Sequence, residues 1–350
     1  MLFTSKGSIG LDIGSSYFKV VQLKETKKGY ELELFDMLPI PSEIIVDGAI
    51  IDSLRLVDSL KELIKKAKIK TKNAVIGISG HASVIIKRIS LPEMSEEDLS
   101  ESIKFEAEQY VPFDIEDVYL DFQILGPREE PGQMDVILVA VKKDIINEYA
   151  TVVKEAGLIP IIVDVDAFAL ENMYEINYEI EPDKNVALVN IGAGTINMNI
   201  LKGGISVFTR DSSIGSNIHT EAIQKAFDAT YESAERLKKG EPVEGISPED
   251  AYSVVLSASE DIISEIGRSL DYYKSTTLHE DINEVILSGG GSLIKNFPQI
   301  LSEKIGIESK VAEPFRNIII PKKFDISYMQ DVAPIAAIAV GLALRRLGDR

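Results

Sequence analysis

Three short runs in this chain combine small residues with groups that bind anions. Asp12-Ile-Gly14-Ser15-Ser16 places a carboxylate, a glycine and two hydroxyls in one turn, with the Lys19 ammonium three residues on. Gly192-Ala193-Gly194-Thr195 is a second such turn, and Gly289-Gly290-Gly291 is a third. A phosphate chain needs several backbone N–H donors aimed at one place, and small residues let the backbone approach closely. The third turn directly follows an apolar run, where a ribose or base can lie flat on bare backbone. A Gly turn alone is commonly just a tight turn; three in this order at strand ends point to a phosphate-bearing ligand. Mg²⁺ prefers oxygen ligands and keeps several waters, so one carboxylate near phosphates suffices. Asp12 is the candidate, acting through water.

The elements that must position these turns can be read from the spacing. Residues 9–23 alternate around the first turn as a β-hairpin, and 30–37 continue as a third strand. Residues 53–67 carry Leu56, Val57, Leu60, Leu63, Ile64 and Ala67 at helical spacing. Strands are expected over 74–78 and 83–89. From Leu91 the pattern changes: a capped helix from Ser95 to about Tyr110, strands over 118–125 and 134–141, a helix over 144–156, and a strand over 158–165. Residues 91–163 thus read as an αββαβ unit inserted in the longer chain. Residues 186–201 then repeat the first hairpin's design. Asp12-Ile13-Gly14 becomes Asn190-Ile191-Gly192, which indicates a duplicated domain with two related halves facing each other. Helices are expected over 218–230 and 251–273, with a charged, Gly- and Pro-containing segment at 232–250 as a small subdomain or cap. A buried strand over 282–288 and an Ala-rich helix over 334–346 close the chain, Gly341 allowing close backbone approach in the latter.

Composition narrows the function. Among 350 residues, 37 basic and 56 acidic side chains leave a net charge of −19, which disfavours nucleic acid and anionic lipid as partners. There is no Cys, so thiol nucleophiles and thiolate metal sites are excluded, and His81, His219 and His279 are too scattered for a His-based centre. No GxSxG elbow supports serine hydrolase chemistry. The start lacks the basic and apolar pattern of a signal peptide, and the apolar runs 158–163 and 332–344 are short for a bilayer span. Cytosolic residence without direct membrane insertion is the expectation.

The order of these turns resembles the actin, Hsp70 and sugar-kinase ATPase superfamily, and over essentially the whole chain the sequence is similar to the PilM family of type IV pilus assembly proteins and its relative FtsA. The narrower likeness rests on Gly10-Leu-Asp-Ile-Gly-Ser-Ser16, on Glu106-Ala-Glu-Gln-Tyr-Val-Pro-Phe113 and on Val118-Tyr-Leu-Asp121. It implies an α/β, actin-like, two-lobed fold of duplicated ribonuclease H-like subdomains with an FtsA/PilM-type 1C insert. The implied subdomains are 1A (1–90, 164–184 and 331–350), 1C (91–163), 2A (185–222 and 282–330) and 2B (223–281).

The resemblance further implies ATP or ADP with Mg²⁺. Asp12 orients metal-bound waters, Gly14, Ser15, Ser16 and Lys19 hold the β-phosphate, and Gly192, Ala193, Gly194 and Thr195 close on the terminal phosphate. Gly289, Gly290 and Gly291 back the adenosine, which Glu265 and Arg268 touch. Most of the superfamily has Asp where this chain has Asn190, which accepts a hydrogen bond but adds no charge. The position that orients attacking water falls near Asp166 or Phe168, and Ser216 stands where a second Gly is common, so weak or no hydrolysis is implied. The implied role is a cytoplasmic scaffold, peripheral to the inner membrane, that binds the N-terminal peptide of PilN alongside other inner-membrane pilus assembly proteins. The chain's end at Leu347–Arg350, directly after the core helix, argues against an FtsA-like membrane helix but not against self-association. The alternative is an actin-like ATPase or a filament-forming, FtsA-like cell-division or membrane-tethering protein.

Overall fold

The computed structural model describes residues 7–46, 48–80, 83–128, 130–277 and 280–349; His81, His279 and Arg350, named above, lie outside them. The first lobe opens with β1 (Ile9–Ile13), β2 (Tyr17–Thr26) and β3 (Gly29–Pro39), a short ribbon of β4 (Ile45–Val46) and β5 (Ala49–Ile50), helix α1 (Ser53–Lys66) and β6 (Asn73–Ile78). Asp52 caps α1 by accepting from Arg55 N–H, and Leu56, Val57, Leu60 and Leu63 are its buried stripe. Next come β7 (Val84–Pro92), α2 (Glu96–Ala107), β8 (Val118–Pro127), β9 (Gln133–Lys142), α3 (Lys143–Glu155), β10 (Ile159–Val165) and α4 (Asp166–Asn177). Ser95 caps α2 by accepting from Asp98 N–H.

The second lobe comprises β11 (Asn185–Ile191), β12 (Ile196–Lys202), β13 (Ile205–Ser212), α5 (Asn217–Phe227), α6 (Tyr231–Lys238), α7 (Pro248–Thr276), β14 (Glu284–Ser288), α8 (Phe297–Ile305) and β15 (Glu308–Val311). The chain closes through α9 (Ile326–Val332), a 3₁₀ turn at Ala333–Ala336 and α10 (Ala337–Leu344).

The duplication is explicit in the sheets. One five-stranded sheet runs β3-β2-β1-β6-β10 and the other β13-β12-β11-β14-β15. In each, the central strand is antiparallel to the next strand in sequence and parallel to the other neighbour. Helices α4 and α10 lie between the lobes, in a core that joins Leu170, Met173 and Ala339 to Val186, Leu188 and Ile286 of the second sheet. Gly341 is what lets them meet: a Cβ there would fall 1.7 Å from Ala169 O. The α9–α10 run, Ile326–Leu344, is by length and composition apolar enough to cross a bilayer, yet 56% of its most apolar 18-residue stretch is buried against the protein, as befits a core helix.

The ladders divide the insert differently from the expected boundaries. β7 pairs with β9 in a three-stranded sheet ordered β7-β9-β8, and β10 pairs with β6 in the first lobe's sheet. Val84–Pro92 therefore belongs with the insert and Ile159–Val165 with the first lobe, opposite to boundaries at 91 and 163. Helix α3 likewise packs Tyr149, Val152 and Val153 into the first lobe's core. The insert's own core is Leu99, Ile103 and Ala107 of α2 against Val136, Leu138 and Ala140 of β9. In the second lobe α5 crosses the expected 222/223 boundary and ends at Phe227 rather than Thr230, and the cap segment begins with an ordered helix, α6.

Candidate functional site

Register builds the site. In an antiparallel pair, opposed residues project on the same face. Asp12 lies opposite Lys19 across β1 and β2, and their side chains form an ion pair of 2.8 Å. Asn190 lies opposite Asn197 across β11 and β12, and Asn190 Nδ2 donates to Asn197 Oδ1 at 3.2 Å. Both turns close alike: Gly14 N–H donates to Tyr17 O (3.2 Å) and Gly192 N–H to Thr195 O (2.9 Å). The start of α5 clamps the second turn, with Ser216 N–H on Gly192 O and Asn217 N–H on Ala193 O, each 2.8 Å. Ser216 fits there without the second glycine.

The two turns face each other across a cleft of about 480 Å³, within the range of small-ligand pockets. Asp12, Gly14, Ser15, Ser16, Lys19 and Asp166 line it from the first lobe. Asn190, Gly192, Ala193, Thr195, Gly289 and Gly290 line it from the second. Gly194 stands just behind, its missing Cβ 3.1 Å from Ser15 Oγ, and Gly291 packs on Ile191. Gly289 has φ +79° and donates its N–H to Pro334 O at 2.9 Å, a conformation that suits glycine.

Asp166 begins α4, with Val165 rather than Asp166 itself at the N-cap. It accepts a hydrogen bond from Ser79, and burial, reinforced by Asp12 and Asp211, pushes its carboxyl up to about 8. Phe168 is no rival for that place, since it packs against the first lobe's apolar core.

The structure does not bring Glu265 and Arg268 to the cleft lining. They pair with each other on α7, and Glu265 also approaches Arg210 of β13 at 3.5 Å. A second Glu-x-x-basic pair, Glu235 and Lys238 on α6, lines the cleft instead, followed by Lys239. Lys238 donates to Thr220 Oγ1 at 2.9 Å, and burial lowers its pKa. Helix α6 also reaches the first turn, since Tyr231 shares a side-chain hydrogen bond with Ser16. The run Glu235-Arg-Leu-Lys-Lys239, with Ala234 and Leu237 buried, was the available signal. The two i,i+3 pairs look alike in sequence, and only packing distinguishes them.

These residues fit a magnesium nucleotide. The cleft offers Lys19, Lys238 and Lys239 to phosphates, and Gly290 leaves open space where a Cβ would stand, as flat stacking requires. Among the described residues no cluster of three acidic or His side chains would hold a cation alone. The carboxylates at hand, Asp12 and Asp166, match an ion that also draws ligands from water and phosphate.

Two lobes of one topology, closing on a cleft between matching hairpin turns, define a protein of the actin-like class. Residues 10–347 match the family described as Type IV pilus assembly protein PilM, and the chain belongs to that family. A solved PilM-PilN type IV pilus biogenesis complex is similar at 26% identity with a TM-score of 0.84, over 97% of this chain and 98% of that one. Cell division protein FtsA of Bacillus subtilis (strain 168) is 23% identical over 323 residues, 85% of this chain and 69% of that protein. MreB5 of Spiroplasma citri bound to ADP shares the fold at 16% identity, with a TM-score of 0.52 over 96% of this chain and 95% of that one.

Proposed function

We propose that this chain is an ATP-binding scaffold of the type IV pilus inner-membrane assembly platform, and that it docks the N-terminal cytoplasmic peptide of PilN. The observation that carries the reading is the near-complete likeness to the PilM-PilN complex, at 26% identity and a TM-score of 0.84. The chain itself is cytoplasmic and sits at the inner membrane through that peptide. The peptide lies along the seam between the first lobe and the insert, where main-chain hydrogen bonds and a few apolar pockets suit an extended segment. The edge strand β7 of the insert's sheet offers such main-chain groups.

ATP or ADP with Mg²⁺ occupies the cleft. Bound there, the metal supplies positive charge between the phosphates and the carboxylates. Asp12 holds metal-bound water, the turn at Gly14–Ser16 with Lys19 takes the β-phosphate, and the turn at Gly192–Thr195 takes the terminal phosphate. Gly289, Gly290 and Gly291 back the adenosine, and Lys238 and Lys239 offer positive charge to the phosphates from α6. Because the two walls belong to different lobes, the nucleotide favours the closed arrangement by its difference in affinity between open and closed forms. The subdomain division follows the sheets, with the insert spanning β7 to β9.

Titrating a PilN N-terminal peptide into the chain, with and without MgATP, tests the reading. Saturable binding that tightens with nucleotide is expected, and no binding in either condition overturns it. A second reading, slow ATP hydrolysis, is favoured by Asp166, a buried carboxyl in the cleft pushed up to about 8 and so able to take a proton near neutral pH. Phosphate release that disappears in Asp166→Ala is its signature.

A further inference from the structure

Beyond the cleft, a hydrogen-bond chain runs from Asn190 through the second lobe and ends on the first. Ser288 Oγ donates to Asn190 Oδ1 (3.3 Å), and Asn190 Nδ2 donates to Asn197 Oδ1 (3.2 Å). Asn197 Nδ2 donates to Asp211 Oδ1 (2.9 Å), and Gly80 N–H of the first lobe donates to Asp211 Oδ2 (2.8 Å). Asn190 and Asn197 line the nucleotide cleft. Asp211 does not. It lines a smaller neighbouring cavity of about 220 Å³, with Ser79, Asp166 and Arg210.

The direction of this chain follows from chemistry. An amide side chain can present oxygen or NH₂ in either sense, but a carboxylate only accepts. One oxygen of Asp211 accepts from the Gly80 N–H, and because the carboxylate can only accept, the Asn197 group facing its other oxygen must be the NH₂. The oxygen of Asn197 is then turned to Asn190 and takes that residue's NH₂. What remains is Asn190 Oδ1, turned toward Ser288 and Gly289 at the cleft wall. Oδ1 accepts from Ser288 and keeps a second lone pair.

We propose that Asp211 is a positioning residue: as the acceptor-only end of the chain it sets the polarity of the Asn197–Asn190 amides, so that the cleft meets a carbonyl oxygen at Asn190 rather than an NH₂. The inference rests on the nucleotide reading above, and gives Asn190 a share of a metal-bound water that a randomly oriented amide would refuse. The chain spans both lobes, because Asp211 is anchored by Gly80 of the first. The ordered state of Asn190 therefore belongs to the closed cleft.

The test is calorimetric binding of ADP with Mg²⁺ and with EDTA, comparing the factor by which the metal strengthens binding. In Asp211→Asn the substituted amide turns its oxygen to Gly80 and its NH₂ to Asn197, and the whole chain reverses. That factor should drop about tenfold while affinity in EDTA stays within twofold. Asn197→Ala cuts the chain yet keeps the charge of Asp211, and the same loss is expected. The double substitution Asn190→Asp with Asp211→Asn moves the acceptor-only end to the cleft at constant total charge, and should restore the factor to the wild-type value or above. A full metal effect in Asp211→Asn, or in Asn197→Ala, overturns the proposal; in the latter case only the charge of Asp211 matters. Failure of the double substitution to restore it does so too. A wild-type chain that binds no ADP under either condition brings down the nucleotide reading itself, which separates the two failures.

Discussion

The two cleft hairpins share a backbone and differ in one opposed pair. At the same register the first lobe carries the ion pair Asp12–Lys19 and the second the amide pair Asn190–Asn197. Duplication conserves geometry, and here it leaves the charge free to diverge. The reason is local electrostatics. Asp12, Asp166 and Asp211 already share the interlobe region, where burial first, and then the charges of Asp12 and Asp211, push Asp166 up to about 8. A fourth carboxylate at position 190, with Lys19 already engaged by Asp12, would add like charge in a poorly hydrated place. The neutral pair keeps the hydrogen bonds and omits that repulsion. The first hairpin is thus held by charge and the second by amides and by the clamp of α5.

The largest effect should come from breaking the charged pair. Asp12→Ala leaves Lys19, whose side chain is only 13% exposed, without its partner, a loss of about 3 kcal/mol in folding stability, the low end for a buried pair because the cleft admits water. Asn190→Ala leaves amide and hydroxyl groups short of a partner and costs about 1–3 kcal/mol. Urea unfolding of both variants measures the difference. Equal losses would show that the two pairs carry the same weight despite their chemistry.

Acid separates the hairpins next, because α5, which clamps the second turn, contains a buried histidine. His219 lies between Ser216 O (3.1 Å) and Ser259 Oγ (3.0 Å), and burial first, then Lys238, push its pKa down to about 4. The unfolded chain takes up a proton near pH 6.5, so between about 6.5 and 4 the unfolded state binds more protons. The contribution of His219 is full above 6.5, falls as pH drops through that window, and levels below about 4, for a total of about 3 kcal/mol. Burial raises the carboxyls of Asp166 and Glu171 to about 8 and about 7, and these add stability over the same window as pH falls. The histidine is therefore read from the difference between wild type and His219→Gln: the urea midpoint of wild type should lose ground to that of the variant as pH falls from 7 to 4. A wild-type slope that the substitution leaves intact would locate the acid sensitivity elsewhere.

The first hairpin is instead backed by α10, and Gly341→Ala probes that support. The added methyl meets Ala169 O at 1.7 Å, a backbone atom that moves only with α4. A loss of about 2–3 kcal/mol is expected, at the upper end of overpacking and reduced by alanine's better helix propensity. Thermal unfolding checks it, and a neutral result would mean the two helices slide apart freely.

Much of this was legible in the residues. Asp12-Ile-Gly and Asn190-Ile-Gly, each between apolar runs, disclose both hairpins and their kinship, and the turns they predict do line one cleft. Local pattern carries that far because hairpin register depends on neighbours. The insert's edges were misplaced because Val84–Pro92 reads as a strand in either sheet, and only its ladder to β9 assigns it. Helix α6 was hidden by its shortness and by the Gly240-Glu-Pro242 run that follows. The role of Asp211 had no local signal at all, since its partner Gly80 is 131 residues away.

The smallest effect tests the choice between the two Glu-x-x-basic helices. Arg268 is largely exposed on α7 and outside the cleft lining, so Arg268→Ala should change stability by no more than about 0.5 kcal/mol and leave ADP affinity unaltered. Lys238→Ala, on α6, removes a half-buried ammonium from the cleft wall and should weaken ADP roughly tenfold, about 1.4 kcal/mol. The contrast between the variants carries the argument, because both remove one positive charge from an acidic protein and long-range electrostatics would weaken ADP in both alike. Loss of affinity in Arg268→Ala with none in Lys238→Ala would reinstate α7 as the nucleotide's neighbour and require the cleft to rearrange on binding.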